Sequence, residues 1–231
     1  MSGDLIPVQK RLMPISAIFR RYSRGIAYLF HWLVLEKPRG LDFSMRVKSI
    51  ESSGYHGYAL TSQKAFKNML QGLPISSGDS FIDIGCGKGA VLNYASRLGF
   101  GKVSGIEIDP GLVEIARRNI DRLHLGDRVE IIQSDATKYD GYGKYSFFFL
   151  FNPFDSEIYE TVIARILQCV CRTSSERTVW LLCYGASSDI SIRRSDLFDL
   201  YRDETCPHRG NSVRIWKSRK RLSGSNYDCA I

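Results

Sequence analysis

The sequence offers little with which to build a covalent or metal-held framework. Its six cysteines, at 86, 169, 171, 183, 206 and 229, form no C-x-x-C pair and no regular spacing. That excludes a disulfide scaffold and a zinc ribbon, and it fits a reduced, cytoplasmic protein. Cys169 and Cys171 read as positions on a buried helix. None of the four histidines stands with a cysteine at ligand spacing, so no metal is expected. Long apolar runs are lacking too: Gly25 to Leu35 spans 11 residues, well short of the roughly 20 that cross a bilayer. Cations precede that run, but no small-residue cleavage site follows it, so it does not read as a secretion signal. There is no internal repeat and no low-complexity tract. With 44% apolar and 24% charged residues, the 231-residue chain can bury one sizeable core, as one domain with an extension.

Charge is present but unevenly placed. The net +8 divides into +6 for residues 1–50, −3 for 51–206, +6 for 207–221 and −1 for 222–231. A mildly acidic middle therefore lies between basic ends. Such ends are either solvated flanks or contacts for an anionic partner or a membrane surface; no obligate nucleic acid is inferred. Residues 14–36 read as an amphipathic helix with a basic first half. It either packs on the domain as a lid, the reading favoured by the usual behaviour of such helices, or lies on a membrane interface.

Pro38-Arg39-Gly40 ends that helix. After an ordered connection over 41–60, Thr61 to Leu73 has apolar residues at three- and four-residue spacing, with Thr61 or Ser62 placed to cap it. From residue 79 strands and helices alternate. Strands are predicted at Ser80–Ile84, Val103–Ile108, Val129–Ile132, Ser146–Phe151 and Thr178–Tyr184. Helices are predicted at Ala90–Leu98, Gly111–Leu123, Glu157–Cys171 and near Ile190–Leu197. Short strands apolar throughout, separated by helices, indicate a parallel sheet covered on both faces. Phe198–Arg202 and Ser212–Lys217 read as a terminal antiparallel hairpin. The fold class is α/β: a Rossmann-like, doubly wound, mostly parallel sheet with a C-terminal antiparallel hairpin and an N-terminal helical extension. The boundaries are 1–57 for the extension, 58–218 for the domain and 219–231 for the tail.

Gly85-Cys-Gly-Lys-Gly89 lies between a strand and a helix, where glycines permit a tight turn and close approach of a ligand. With Ala90 it also satisfies the G-x-G-x-x-A dinucleotide fingerprint. Three neighbours discriminate. Asp83 beside the loop suits an ammonium-bearing ligand and disfavours a pyrophosphate. Glu107 ends the second strand, 22 residues after Gly85, where a carboxylate accepts from ribose hydroxyls. Asp135 follows the third strand, where it can accept from an adenine amino group. The Tyr-x-x-x-Lys pair of short-chain reductases is absent. The cofactor is therefore read as S-adenosylmethionine.

Phe81–Gly89, Ile106-Glu-Ile-Asp-Pro110, Ser134-Asp-Ala136 and Phe149-Leu-Phe-Asn-Pro-Phe154 resemble the successive motifs of class I S-adenosylmethionine-dependent methyltransferases, over about residues 58–218. The resemblance implies that Asp83, Gly85, Cys86 and Gly87 hold the methionine part of the cofactor. It places Glu107 and Ile108 at the ribose, and Asp135 and Ala136 at the adenine. Asp109-Pro110 reads as a helix cap. Asn152-Pro153-Phe154 is similar to the Asn/Asp-Pro-Pro-Tyr/Phe motif of amino-group methyltransferases, with one proline missing. By that resemblance Asn152 orients an acceptor amine and borders the cofactor, and Phe154 shields the site or stacks on a flat acceptor. Tyr55 to Ser62 is similar to the Tyr-containing segment that closes over the cofactor in Dot1-type and small bacterial lysine methyltransferases. It adds Tyr58, Thr61 and Ser62 as cofactor contacts, with Tyr55 and His56 toward the acceptor. Methyl transfer from a sulfonium needs alignment more than a nucleophile, a metal or a triad. The expected function is methyl transfer to an amino nitrogen of a protein or small molecule. The alternatives are O-methylation of a glycan, lipid or anionic metabolite, and a non-catalytic cofactor- or nucleic-acid-binding protein.

Overall fold

The computed structural model describes residues 26, 29–45, 59–151, 154–173, 177–185, 188–205 and 211–219. Seven strands form one sheet: β1 (Ser80–Ile84), β2 (Lys102–Glu107), β3 (Val129–Gln133), β4 (Phe147–Phe151), β5 (Trp180–Tyr184), β6 (Phe198–Thr205) and β7 (Ser212–Ser218). Their spatial order is β3-β2-β1-β4-β5-β7-β6. The first five are parallel, and β7 pairs antiparallel with both β5 and β6. Strand order reverses between β1 and β4, and ligands of such sheets bind at the carboxyl edge of that switch point.

The helices are α1 (Gln63–Leu70), α2 (Ala90–Ala95), α3 (Pro110–Arg122), α4 (Ser156–Cys171) and α5 (Ile190–Arg194). Side chains alternate across each strand, so the apolar strands feed two cores. Ile82, Ile84, Phe148 and Leu150 pack with Tyr159, Ile163 and Ile166 of α4. Phe81, Phe147 and Phe149 pack on the other face with Phe66 of α1 and with Val91 and Leu92 of α2. Phe66 stands edge-on to both Phe81 and Phe149, at 5.7 and 5.3 Å between ring centroids. Cys169 is buried in the α4 core, as its helical position predicts.

Local chemistry explains the element ends. Ser62 accepts from the Ala65 amide and starts α1. Gln71 turns extended and Gly72 takes φ +80°, so α1 stops short of the predicted Leu73. The Arg202 guanidinium of β6 then binds the carbonyls of Asn68, Met69 and Gln71 at that end, supplying partners for terminal groups that no helical turn can satisfy. Asp109 and Asp155 cap α3 and α4. Helix α2 ends at Ala95, three residues before the predicted end, where the chain enters a turn.

The N-terminal segment departs from the favoured sequence reading. A π-helical turn spans Trp32–Glu36 and a 3-10 turn spans Lys37–Arg39. The apolar side chains expected to pack on the domain point to solvent, and Glu36 is buried instead. The cause is polar. Glu36 accepts from the amides of Phe43 and Ser44, from the Ser44 hydroxyl and from His31. The domain contact belongs to the following strap, where Leu41 and Phe43 pack on Ala90.

Gly105 in β2 has a steric duty that its sequence context does not advertise. A Cβ there would lie 2.6 Å from Leu92 Cδ1 and 2.7 Å from Cys86 Cβ and Sγ. Cys86 and α2 thus fill the space that a side chain on β2 would occupy. Gly105→Ala should lower unfolding free energy by about 1–3 kcal/mol, measured by chemical denaturation. A stability equal to wild type would show that the loop and α2 can move aside.

Candidate active site

The glycine loop is fastened to the tip of β2. Gly85, Gly87 and Gly89 take φ values of +77°, +53° and +80°, a region that side chains with a Cβ seldom enter. The amides of Gly85 and Cys86 both donate to the Ile106 carbonyl, at 2.9 and 3.0 Å. The Gly87 amide donates to Glu107 Oε2 at 2.9 Å. Glu107 Oε1 accepts from the amides of Ile108 and Asp109, at 2.9 and 3.0 Å. One carboxylate therefore joins the loop after β1 to the turn after β2. Of its roughly four lone-pair sites three are filled, which leaves room on Oε2 for about one further donor. The sequence reading assigns both ribose hydroxyls to Glu107; this geometry accommodates one.

Asp83 lies in β1 with Gly105 and Phe149 as its cross-strand neighbours. Its side chain is 3% exposed. Burial, and then the nearby Glu107 charge, push its carboxyl well above the ordinary range. Burial raises Glu107 as well, against the lowering effect of its three amide donors. Two buried carboxyls with no offsetting cation among the described residues make a site that favours a positively charged or hydrogen-donating ligand.

Across β2, the Ser134 amide donates to the Glu107 carbonyl at 3.0 Å and brings the end of β3 alongside. Asp135 Oδ1 accepts from the Thr137 amide and hydroxyl, at 2.9 and 2.7 Å, and Oδ2 lies 3.4 Å from Lys138. Partial burial pushes this carboxyl up, but the Thr137 bonds and the Lys138 charge prevail and hold it low. The Ala136 carbonyl accepts from the buried Tyr142 hydroxyl at 2.8 Å, which uses one of its two lone pairs.

The remaining expected positions divide. Thr61 is buried just ahead of α1, and Ile108 is 40% exposed beside Glu107. Cys86 is buried with its thiol against the Gly105 position, so its side chain serves packing, while its amide donates to the Ile106 carbonyl and its carbonyl accepts from the Gly89 amide. Phe154 is 4% exposed within the α4 core. Its burial is accounted for by that core rather than by stacking on an acceptor. Tyr55, His56, Tyr58, Asn152 and Pro153 lie outside the described residues.

Three residues of this edge escape a motif reading. Lys88, inside the glycine loop, is fully buried, and its Nζ donates to Asp42 Oδ1 and the Met45 carbonyl, both at 2.7 Å. Asn119 of α3 accepts from the Asp42 amide and donates to the carbonyls of Asp42 and Lys88. Together they strap residues 41–45 over the loop. The signal available in sequence is Asn119, a polar residue on the stripe Leu112, Ala116, Asn119, Ile120. The arrangement also bears on the dinucleotide fingerprint. The loop's one cation is turned into a salt bridge with Asp42, while carboxylates occupy the ligand edge, opposite to what a pyrophosphate needs.

Comparison with known proteins agrees. Residues 81–174 match the family model described as a methyltransferase domain. The ribosomal protein L11 methyltransferase of Pelobacter propionicus is 35% identical over 78 residues, covering 34% of this chain and 25% of that protein. Its counterpart from Salmonella arizonae is 39% identical over 75 residues, with 31% and 25% covered. The match thus spans about a quarter of the length of these curated relatives. An RNA methyltransferase from Salinibacter ruber, solved with S-adenosyl-L-homocysteine, has a TM-score of 0.54 at 20% identity over 72% of this chain and 98% of that one. An S-adenosylmethionine-dependent methyltransferase from Aquifex aeolicus has a TM-score of 0.50 at 18% identity, over 67% and 89%. Those two likenesses concern the fold. Over residues 81–174 the chain thus matches a methyltransferase domain, and its sheet has the fold of solved S-adenosylmethionine-dependent methyltransferases.

Asp83 supplies a test with two readouts of opposite sign. Raised carboxyl pKa values contribute stability below the unfolded value near 4, and that contribution is lost as pH rises through the raised folded values. Asp135 acts in the opposite sense, so wild type and variant must be compared at each pH. Asp83→Asn should stabilise the cofactor-free protein above pH 7 by about 1 kcal/mol or more, read from melting curves. It should weaken S-adenosylmethionine binding by about ten- to a hundredfold in calorimetry. Unchanged affinity would remove Asp83 from the cofactor site.

Proposed function

We propose that this chain transfers the methyl group of S-adenosylmethionine to an amino nitrogen, of a protein or a small molecule, oriented by Asn152 of the Asn152-Pro153-Phe154 motif, whose Phe154 anchors the motif in the core. The observation that carries the cofactor half is the pair of buried, raised carboxyls at the sheet's switch point. Asp83 receives the ammonium of the methionine moiety, Glu107 accepts a ribose hydroxyl, and the glycine loop lets the ligand approach backbone. Asp135 accepts from the adenine amino group through Oδ2, the oxygen that Thr137 does not use. Bound there, the cofactor supplies an electrophilic methyl on a sulfonium, so the chain has to align rather than activate. Alignment of this kind can supply roughly 7–11 kcal/mol of the barrier.

The acceptor half rests on sequence. β4 ends at Phe151, beside the Asp83 strand, so the chain enters 152–154 at the same carboxyl edge. An Asn side chain accepts a hydrogen bond from an NH2 group without being ionised, which turns the nitrogen lone pair toward the methyl. The acceptor nitrogen must arrive with its lone pair free or lose its proton to a base before transfer.

Asn152→Ala should lower turnover about a hundredfold while leaving S-adenosylmethionine affinity within about twofold. Equal losses in the transfer assay and in calorimetry would sink the orienting role. Incubating extract fractions with tritium-labelled cofactor, then digesting with protease, nuclease or lipase, identifies the acceptor class. Alkali-stable label on protein or on a small amine supports the nitrogen reading. Label confined to glycan, lipid or alkali-labile esters overturns it.

A further inference from the structure

The apolar stripe of the N-terminal helical segment faces away from the domain. Ile26, Leu29, Phe30 and Leu33 recur at i, i+3, i+4, i+7 and are 68, 45, 67 and 44% exposed, with Val34 and Leu35 beside them at 51 and 46%. Single exposed apolar side chains are ordinary, but a contiguous set marks an interaction surface. Polar chemistry on the other side holds this orientation. His31 Nδ1 lies 2.9 Å from Glu36 and 3.1 Å from the Ser44 hydroxyl. The buried Glu36 accepts from the Phe43 and Ser44 amides at 2.7 and 2.9 Å. Rolling the segment over to bury its stripe would break those bonds and strand a buried carboxylate.

Charge decides which partner fits. Arg20, Arg21 and Arg24 precede the stripe in sequence, Lys37 and Arg39 follow it, and residues 1–50 carry a net +6. Lys37 Nζ lies 5.3 Å from the centroid of the half-buried Trp32 ring, a pairing suited to a membrane-water boundary. A second copy of this chain would cover the stripe but set like charge against like. A nucleic acid would neutralise the cations but leave the stripe in water. An anionic bilayer surface meets both demands. The apolar run Gly25–Leu35 has 11 residues, too few for the roughly 20 that cross a bilayer, so a docked segment lies on the surface rather than spanning it.

We propose that the segment around Ile26–Arg39 docks this protein on an anionic lipid surface. The strap that follows carries the contact inward, since Glu36 gathers residues 43 and 44 while Asp42 and Met45 hold Lys88 of the glycine loop. The cofactor edge is thereby held in a fixed relation to the docking helix.

The test uses the full chain and sedimentation with vesicles of phosphatidylcholine, with or without about a third phosphatidylglycerol. Binding should be roughly tenfold stronger to the anionic vesicles. It should fall as salt shortens the screening length from about 10 Å at 0.1 M to about 3 Å at 1 M. Phe30→Asp with Leu33→Asp should abolish it while S-adenosylmethionine affinity, measured in parallel, stays at wild type and reports an intact fold. Arg20→Glu, Arg21→Glu and Arg24→Glu together should remove the preference for anionic lipid. Failure to bind either vesicle, equal binding to both, or binding that survives the Asp variants would each overturn the proposal. So would a wild-type dimer in light scattering that the Asp variants dissociate, because the stripe would then belong to a second copy.

Discussion

The cofactor edge depends on one carboxylate. Glu107 accepts from the amides of Gly87, Ile108 and Asp109. It thereby sets the glycine loop after β1, the turn after β2 and, through Asp109, the start of α3. Buried amides need partners, and a glycine-rich loop has no side chains to supply them. A neighbouring strand must provide the acceptor. Burial beside this tie pushes both carboxyls upward, and the Glu107 charge adds to the rise at Asp83. The structural tie and the ligand preference thus have a common origin.

The same edge is closed from two directions by packing. Beneath the loop, Cys86 and Leu92 occupy the place of a side chain at Gly105. Above it, Lys88 reaches Asp42 and Met45, and Asn119 locks Asp42 and the Lys88 carbonyl. The loop therefore presents backbone and carboxylate to the ligand side and its one cation to the strap. A dinucleotide-binding turn has the opposite need, since phosphate wants positive potential at the helix N-terminus. Charge placement separates two cofactor classes that the glycine spacing alone confuses.

The alternating pattern of the domain was legible because each strand is apolar throughout and each helix has its own stripe. The parallel sheet, the antiparallel hairpin and the Asp109 cap follow from that pattern and from local hydrogen bonding. The positions of Asp83, Glu107 and Asp135 at or just after the ends of successive strands were legible for a similar reason, since strand ends follow from the local pattern. The contacts made at a distance were not. Gly105 as the socket for Cys86, Asn119 as a lock on a segment 77 positions away, and Arg202 as the terminal partner of α1 are long-range relations with no local periodicity.

For the N-terminal helix, amphipathic spacing predicts that an apolar stripe exists but not what it faces. The buried Glu36 and its four partners turn the stripe outward, and that choice is tertiary because it rests on the strap at residues 43 and 44. The alternation of strands and helices, the strand-end positions of the acids and the methyl-donor class were already determined by residue type and spacing, since they depend on strands and turns formed by neighbours in the chain. The remaining lone pair on Glu107, the burial of Phe154 and Lys88, and the outward-facing helix were decided only when distant segments met and competed for the same donors and the same space.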